Sequence, residues 1–198
     1  MSQAEISNRI LTIPNVISFI RLAAIPLFWW LLLAEENVSA AAVLFAVIAS
    51  TDWLDGYLAR RLGQVSKLGK SLDPVADRLM IASAVIAGMI AGIVPTVIGI
   101  TIIAREIYMA IVTFVVMARK GGVLDVRWLG KLATFLVYGS IGSFYLAAID
   151  FLPLLARPVA WVTGVAGVIL YWVTALQYTG DAWTMTSKLE STPSPEES

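Results

Sequence analysis

Four aspartates in one short segment form the most concentrated group of reactive side chains in this sequence: Asp52, Asp55, Asp73 and Asp77. The first two are three positions apart and the last two are four apart, so on helices each pair shares one face. Four converging carboxylates repel one another and are costly to bury unless cations neutralise them. The pattern therefore indicates a cation site.

The residue types around the aspartates indicate which cation and which chemistry. The chain contains no histidine and no cysteine, so we expect oxygen ligands, which favour Mg²⁺ or Mn²⁺ over zinc. A pair of such ions stabilises the attacking and leaving oxygens of a phosphoryl displacement. Gly56 and Ala59 leave room for a ligand near the backbone, and Arg60 supplies a cation for phosphate. We therefore expect two divalent cations and phosphoryl chemistry.

The composition of the chain is that of an integral membrane protein. Hydrophobic residues make up 59% of it and charged residues 14%, and the mean hydropathy is +0.81. The net charge is zero, with 14 basic and 14 acidic residues, so no nucleic-acid partner is indicated. Because the chain has no imidazole or thiol group, any general acid or base is expected to be Asp, Glu, Lys or Tyr.

Six apolar segments, each near the roughly 20 residues that cross a bilayer, predict an all-α membrane bundle of six transmembrane helices. The predicted spans are residues 14–34, 38–58, 69–92, 95–117, 128–150 and 157–178. Residues 1–12 are mildly amphipathic, which predicts a short interfacial helix on the membrane surface. The predicted organisation is this helix at 1–12, a membrane domain at 13–179, and a polar, proline-rich, disordered tail at 180–198.

The charges of the loops predict the orientation of the bundle in a cell membrane. Lysines and arginines are concentrated in the loop of the aspartate motif and in the link at 118–131. The opposite loops contain Glu35, Glu36 and Asp150, with Arg157 as their cation. The positive-inside rule therefore predicts that the motif and both termini are cytoplasmic.

Two arginines within the spans, Arg21 and Arg105, are candidates for contact with a substrate. The sequence is compatible with two roles for Arg21: its side chain extends toward the lipid headgroups (snorkelling), or it contacts substrate phosphates. Arg105 and Glu106 are adjacent in the fourth span and point in different directions on a helix, so each is expected to have its own partner. The sequence is compatible with two roles for Arg105: contact with an acceptor, or a structural ion pair with another helix. Lys131 lies near the start of the fifth span.

The motif resembles the signature of a known family. Its pattern, D-x-x-D-G-x-x-A-R-x8-G-x-x-x-D-x-x-x-D, is similar to that of the CDP-alcohol phosphotransferases, integral membrane enzymes that build phospholipids from a CDP-linked substrate. All eight fixed positions are present: Asp52, Asp55, Gly56, Ala59, Arg60, Gly69, Asp73 and Asp77.

The resemblance implies a reaction and a role for each residue of the motif. An acceptor hydroxyl would attack the diacylglycerol-side phosphate of CDP-diacylglycerol, and CMP would leave. Asp52, Asp55 and Asp73 would bind metal, and Asp77 would take the hydroxyl proton or bind the second metal. The cytidine diphosphate would contact Asp52, Gly56, Ala59, Arg60 and Gly69. The resemblance also implies a homodimer.

Two acceptor alcohols fit the resemblance. Residues 12–15, 51–60, 71–78 and 104–107 resemble the branch that makes phosphatidylglycerophosphate from glycerol-3-phosphate. That acceptor is anionic, so Arg105, Lys131 and Arg21 are candidates to bind it. Thr113 departs from this branch, which often has a further arginine there, and residues 130–135 are similar to cardiolipin synthases, whose acceptor is phosphatidylglycerol. Glycerol-3-phosphate is the favoured acceptor and phosphatidylglycerol the alternative.

A transporter or a membrane scaffold is the alternative class of function, because intramembrane carboxylates also mark ion pathways. Transporters usually hold such groups near the midplane on broken helices. The four aspartates of this chain are predicted at the cytoplasmic ends of their spans. An enzyme is therefore the favoured interpretation.

Overall fold

The computed structural model describes residues 13–62, 67–118 and 128–190, with side chains at 15–51, 75–118, 128–152 and 154–183. Within these residues the chain forms six helices and no strand, so the predicted all-α class is confirmed, and the crossing of the membrane by all six stays a prediction. The helices are α1 (Ile13–Trp29, extended by a π-helical turn at Trp30–Ala34), α2 (Val38–Leu62), α3 (Lys67–Ile90), α4 (Thr96–Ala118), α5 (Trp128–Ala148) and α6 (Pro153–Glu190). The predicted interfacial helix at 1–12 lies outside the described residues.

Three helical segments in the described part of the chain are long and apolar enough to cross a membrane: Asn15–Ala34, Thr96–Ala118 and Leu154–Trp183. The described side chains of α2 add a shorter apolar stretch, Val38–Thr51. Many large apolar side chains on these helices face outward, as suits a surface in contact with lipid. The fold is therefore that of a helical membrane protein.

The buried face of α1 changes character along the helix. Buried positions recur at intervals of three or four residues, which places them on one side of the helix: Asn15, Ser18, Arg21, Ala24, Phe28 and Leu32. The first three are polar and the last three are apolar. This face packs against α2 and α3. Its polar half therefore lies in the N-terminal part of α1.

Aromatic rings fill the apolar part of the bundle, where α1, α2 and α5 meet. The ring centroid of Phe28 lies 6.4 Å from that of Phe45 and 5.8 Å from that of Tyr145. The hydroxyl of Tyr145 donates a hydrogen bond of 2.8 Å to the backbone carbonyl of Ala84 on α3. These contacts hold α5 against α3 and close the apolar side of the core.

A tight turn holds α3 and α4 side by side. Gly92 has a φ of 71°, a left-handed conformation that glycine adopts without steric cost, and α4 begins four residues later. Because the two helices run in opposite directions from this turn, residues equally distant from it lie at the same level. Arg78 on α3 and Glu106 on α4 are such a pair.

Helix α6 is longer than the sequence predicted. The predicted span ended near Tyr178, whereas the helix continues to Glu190. Residues 181–190 contain neither proline nor glycine, so nothing in them stops propagation of the helix once it has left the apolar core. The prediction of disorder is therefore wrong for residues 180–190, and residues 191–198 lie outside the described part of the chain.

Helices α5 and α6 approach each other closely at Gly167. A Cβ atom at this position would lie 3.1 Å from the Cβ of Leu136 and 3.1 Å from the backbone nitrogen of Val137. Backbone atoms cannot move aside as the end of a flexible side chain can. The close packing of the two helices therefore depends on a small residue at this position.

We expect Gly167→Ala to lower the free energy of unfolding by about 1–3 kcal/mol, because the added methyl group forces the helices apart. Gly139→Ala on α5 is the matched control, since its new Cβ would meet no atom within 4 Å. The control is expected to be neutral or to stabilise by about 0.5–1 kcal/mol, because alanine is the better helix former. Thermal unfolding in detergent measures both, and equal melting temperatures would contradict the packing argument.

Candidate active site

The backbone places the four aspartates of the motif on two consecutive helices. Asp52 and Asp55 lie in the last part of α2, and Asp73 and Asp77 lie in the first part of α3. Both helices are continuous through these positions, so each pair occupies one helical face, as predicted. The side chain of Asp77 is described. Those of the other motif residues lie outside the described part: Asp52, Asp55, Gly56, Ala59, Arg60, Gly69 and Asp73.

A cavity lies beside Asp77 where four helices meet. Arg21 on α1 and Asp77 on α3 supply its charged groups, and α2 and α5 supply most of its remaining wall. The lining residues are Arg21, Phe45, Ile48, Ala49, Asp77, Met80 and Tyr138. An ion pair and apolar or aromatic groups together line this cavity, so its wall is amphipathic, and its volume of about 10 Å³ is that of a single water molecule.

The helical register relates this cavity to the remaining aspartates. Asp52 follows the cavity-lining Ile48 by one turn of α2, and Asp73 precedes Asp77 by one turn of α3. Four residues, 63–66, separate the two helices along the chain. The backbone of Asp77 therefore lies at the cavity. The backbones of the other three aspartates lie on the side of the cavity that faces the segment joining α2 to α3.

Arg21 points into the bundle. Its side chain is only 2% exposed, and its Nη1 donates a hydrogen bond to Oδ1 of Asp77. Snorkelling, one of the two alternatives that the sequence left open, is therefore wrong. The structure instead brings Arg21 to the cavity, next to the one motif carboxylate whose side chain is described.

A second charged cluster joins α3, α4 and α6 around Glu106. One carboxylate oxygen of Glu106 lies 2.6 Å from Nη1 of Arg78, and the other lies 2.9 Å from Nη1 of Arg105. The hydroxyl of Tyr171 on α6 also donates to Glu106. The guanidinium of Arg105 lies 3.7 Å from the centre of the Tyr171 ring, a cation–π contact. Glu106 is therefore the shared acceptor of three side chains.

This cluster corrects the expectation that Arg105 and Glu106 have separate partners. Although adjacent helical positions diverge, the long side chain of Arg105 curves back to Glu106 while it stacks on Tyr171. Arg105 is thus a buried member of an ion-pair network, but its carboxylate partner lies on its own helix and not on another helix, as the structural alternative expected. Sequence reasoning missed Arg78 as the partner of Glu106, although their equal distances from the turn at Gly92 are a signal for it.

The structure does not bring Lys131 into the cavity. Its side chain is exposed near the start of α5, two turns before the cavity-lining Tyr138 on the same face of the helix. Thr113, where an arginine was expected for one branch of the family, is exposed on α4. The role of Lys131 in binding an acceptor stays a prediction.

The fold and the site together define a class of protein, a helical membrane protein with a charged, amphipathic cavity that receives side chains from four helices. The model of the CDP-alcohol phosphatidyltransferase family matches residues 11–177. The chain therefore belongs to that family and is a phospholipid-synthesising transferase, which confirms the resemblance of its motif.

Relatives with two different activities resemble the chain. It is 36% identical to the CMP-forming cardiolipin synthase of Streptomyces coelicolor, over 87% of this chain and 83% of that protein. It is 33% identical to the CDP-diacylglycerol–glycerol-3-phosphate 3-phosphatidyltransferase of Bacillus subtilis, over 81% of this chain and 91% of that protein. These names correspond to the two acceptors that the sequence left open.

Proposed function

We propose that this protein transfers the phosphatidyl group of CDP-diacylglycerol to a hydroxyl of a glycerol-bearing acceptor and releases CMP. The observation that carries the proposal is the position of Asp77, which lines an amphipathic cavity at the register of the complete family motif. The named relatives support it, since one is CMP-forming and the other uses CDP-diacylglycerol.

Two divalent cations, Mg²⁺ or Mn²⁺, belong to the proposal. The donor set fits them, because the carboxylate of Asp77 reaches the cavity and the three other aspartates follow in register on α2 and α3. Asp52, Asp55 and Asp73 would hold the ions, and Asp77 would either take the hydroxyl proton or bind the second ion. When bound, the ions would offset the charge of the pyrophosphate and of the departing CMP.

Other residues of the motif would bind the substrate, and Asp77 would take part in the proton transfer. Asp52, Gly56, Ala59, Arg60 and Gly69 would bind the cytidine diphosphate. The acceptor hydroxyl would attack the phosphorus on the diacylglycerol side, the bond from that phosphorus to the CMP oxygen would break, and the hydroxyl proton would pass to Asp77. The 28% exposure of the Asp77 side chain supports access to the cavity. Metal ligation remains the alternative role of Asp77.

Phosphatidylglycerol is our first candidate for the acceptor, supported by the cardiolipin synthase relative and by the pairing of Arg105. Glycerol-3-phosphate has a phosphate monoester of up to two negative charges and needs free cations, whereas Arg105 is buried and already paired with Glu106. Lys131 is exposed outside the cavity. Phosphatidylglycerol has a single negative charge on its phosphodiester and therefore needs fewer cations for binding. Glycerol-3-phosphate is the second candidate, favoured by residues 12–15, 51–60, 71–78 and 104–107.

We further propose a multi-pass arrangement in the cell membrane with six crossings and with the motif and both termini in the cytoplasm. The three membrane-capable helices support the crossings, and the excess of lysine and arginine beside the motif supports the orientation. A cytoplasmic site suits a nucleotide-linked donor. A homodimer is an expectation from the family resemblance.

An acceptor screen tests the reaction. Purified protein is mixed with CDP-diacylglycerol and Mg²⁺ or Mn²⁺, with phosphatidylglycerol, glycerol-3-phosphate or no acceptor, and CMP is measured. We expect release that requires the metal and the acceptor, that stops on chelation, and that is faster with phosphatidylglycerol. Release with glycerol-3-phosphate alone would contradict the charge argument for the acceptor. No release with any alcohol would contradict the reaction class and favour a transporter or scaffold.

A further inference from the structure

Arg21 is the largest of the described side chains that are fully buried. A guanidinium inside an apolar bundle is costly unless anionic or polar groups on the facing helices meet its charge and its N–H donors. It belongs to the polar half of the buried face of α1, with Asn15 and Ser18 fully buried on the preceding turns. The fold therefore holds Arg21 at one place, against α3.

On α3, Arg21 contacts a residue of the motif, Asp77. Nη1 of Arg21 donates to Oδ1 of Asp77, and both side chains line the cavity. The terminal torsion of an aspartate side chain is broad, so a carboxylate without a fixed partner has no strongly preferred plane. A hydrogen bond from a buried donor to Oδ1 restricts that rotation.

We propose that Arg21 is a positioning residue, which holds Asp77 by one oxygen so that the other faces the reacting groups. The proposal rests on the proposed function, and it replaces the role in acceptor binding that the sequence indicated for Arg21. The Arg21 side chain is only 2% exposed and is already paired with Asp77, so it offers little surface to a substrate phosphate. An orienting role needs no such displacement.

Steady-state kinetics of CMP release provide the first test. Arg21→Gln is expected to lower kcat by about 100-fold, the scale of a misplaced catalytic group, without change in the KM values for CDP-diacylglycerol and acceptor. Arg21→Lys keeps the charge but not the planar fork, so it should restore part of kcat. Arg157→Gln, an exposed arginine on α6, is the control and should match the wild type. Raised KM values with an unchanged kcat would assign Arg21 to substrate binding and overturn the proposal.

A thermal double-mutant cycle without added metal tests the pair independently of activity. The melting temperatures of Arg21→Gln, Asp77→Asn and the double variant are compared with that of the wild type. We expect the double variant to lose less than the sum of the two single losses, because each single change removes the same ion pair. Additive losses would overturn the proposal. A non-additive cycle in a wild type that releases no CMP would refute the proposed function and leave the pair a purely structural one.

Discussion

Replacing Asp73 by asparagine is expected to reduce metal-dependent CMP release by about a thousandfold. An amide is a neutral and weaker ligand than a carboxylate. The substitution should therefore forfeit several kcal/mol of the charge stabilisation that divalent ions give to the transition state. Asp52→Asn is expected to have a similar effect, because its position follows the cavity-lining Ile48 by one turn of α2. Initial rates of CMP release at saturating Mg²⁺ or Mn²⁺ measure the effect.

The chain provides a matched control for this substitution. Asp150 is exposed beyond the end of α5 and has a φ of 54°, a conformation that asparagine adopts readily. Asp150→Asn should therefore keep the activity and the melting temperature of the wild type. Turnover like that of the wild type in Asp52→Asn or Asp73→Asn would show that these carboxylates do not hold the metals.

Removing the carboxylate of Glu106 is expected to cause the largest loss of stability among single substitutions in the described helices. In Glu106→Ala, Arg105 loses its carboxylate partner while it remains buried, and Arg78 and Tyr171 lose the same acceptor. Breaking a buried pair by removing one partner typically costs about 3–5 kcal/mol, because an uncompensated charge is left behind. Chemical or thermal unfolding in detergent measures this loss.

Two further variants separate this mechanism from a general effect of losing a glutamate. Glu35→Ala, in the exposed turn after α1, should stay within about 0.5 kcal/mol of the wild type. A double variant, Arg105→Met with Glu106→Leu, should be more stable than Glu106→Ala, because it removes both buried charges. A double variant less stable than Glu106→Ala would argue against a charge left uncompensated at Arg105.

The sequence by itself determined the class of the fold, the approximate bounds of the helices and the family motif. Each of these depends on neighbours along the chain. The length and apolarity of a segment indicate a membrane helix, and gaps of three and four residues place Asp52 with Asp55 and Asp73 with Asp77 on common helical faces. The end of α6 was misjudged because a polar composition was read as disorder, although residues 181–190 contain no helix-breaking residue.

The tertiary structure decided which charged side chains meet. Arg21 and Asp77 are 56 positions apart, and Arg78 and Glu106 are 28 apart. Their pairing depends on how far each helix is rotated and shifted against the next, which packing sets through the turn at Gly92 and through the close contacts of the bundle. Helical periodicity shows which residues share a face, but it does not show which faces meet. For that reason the sequence was compatible with two roles for each of Arg21 and Arg105, and the structure showed that both arginines are buried and paired with a carboxylate.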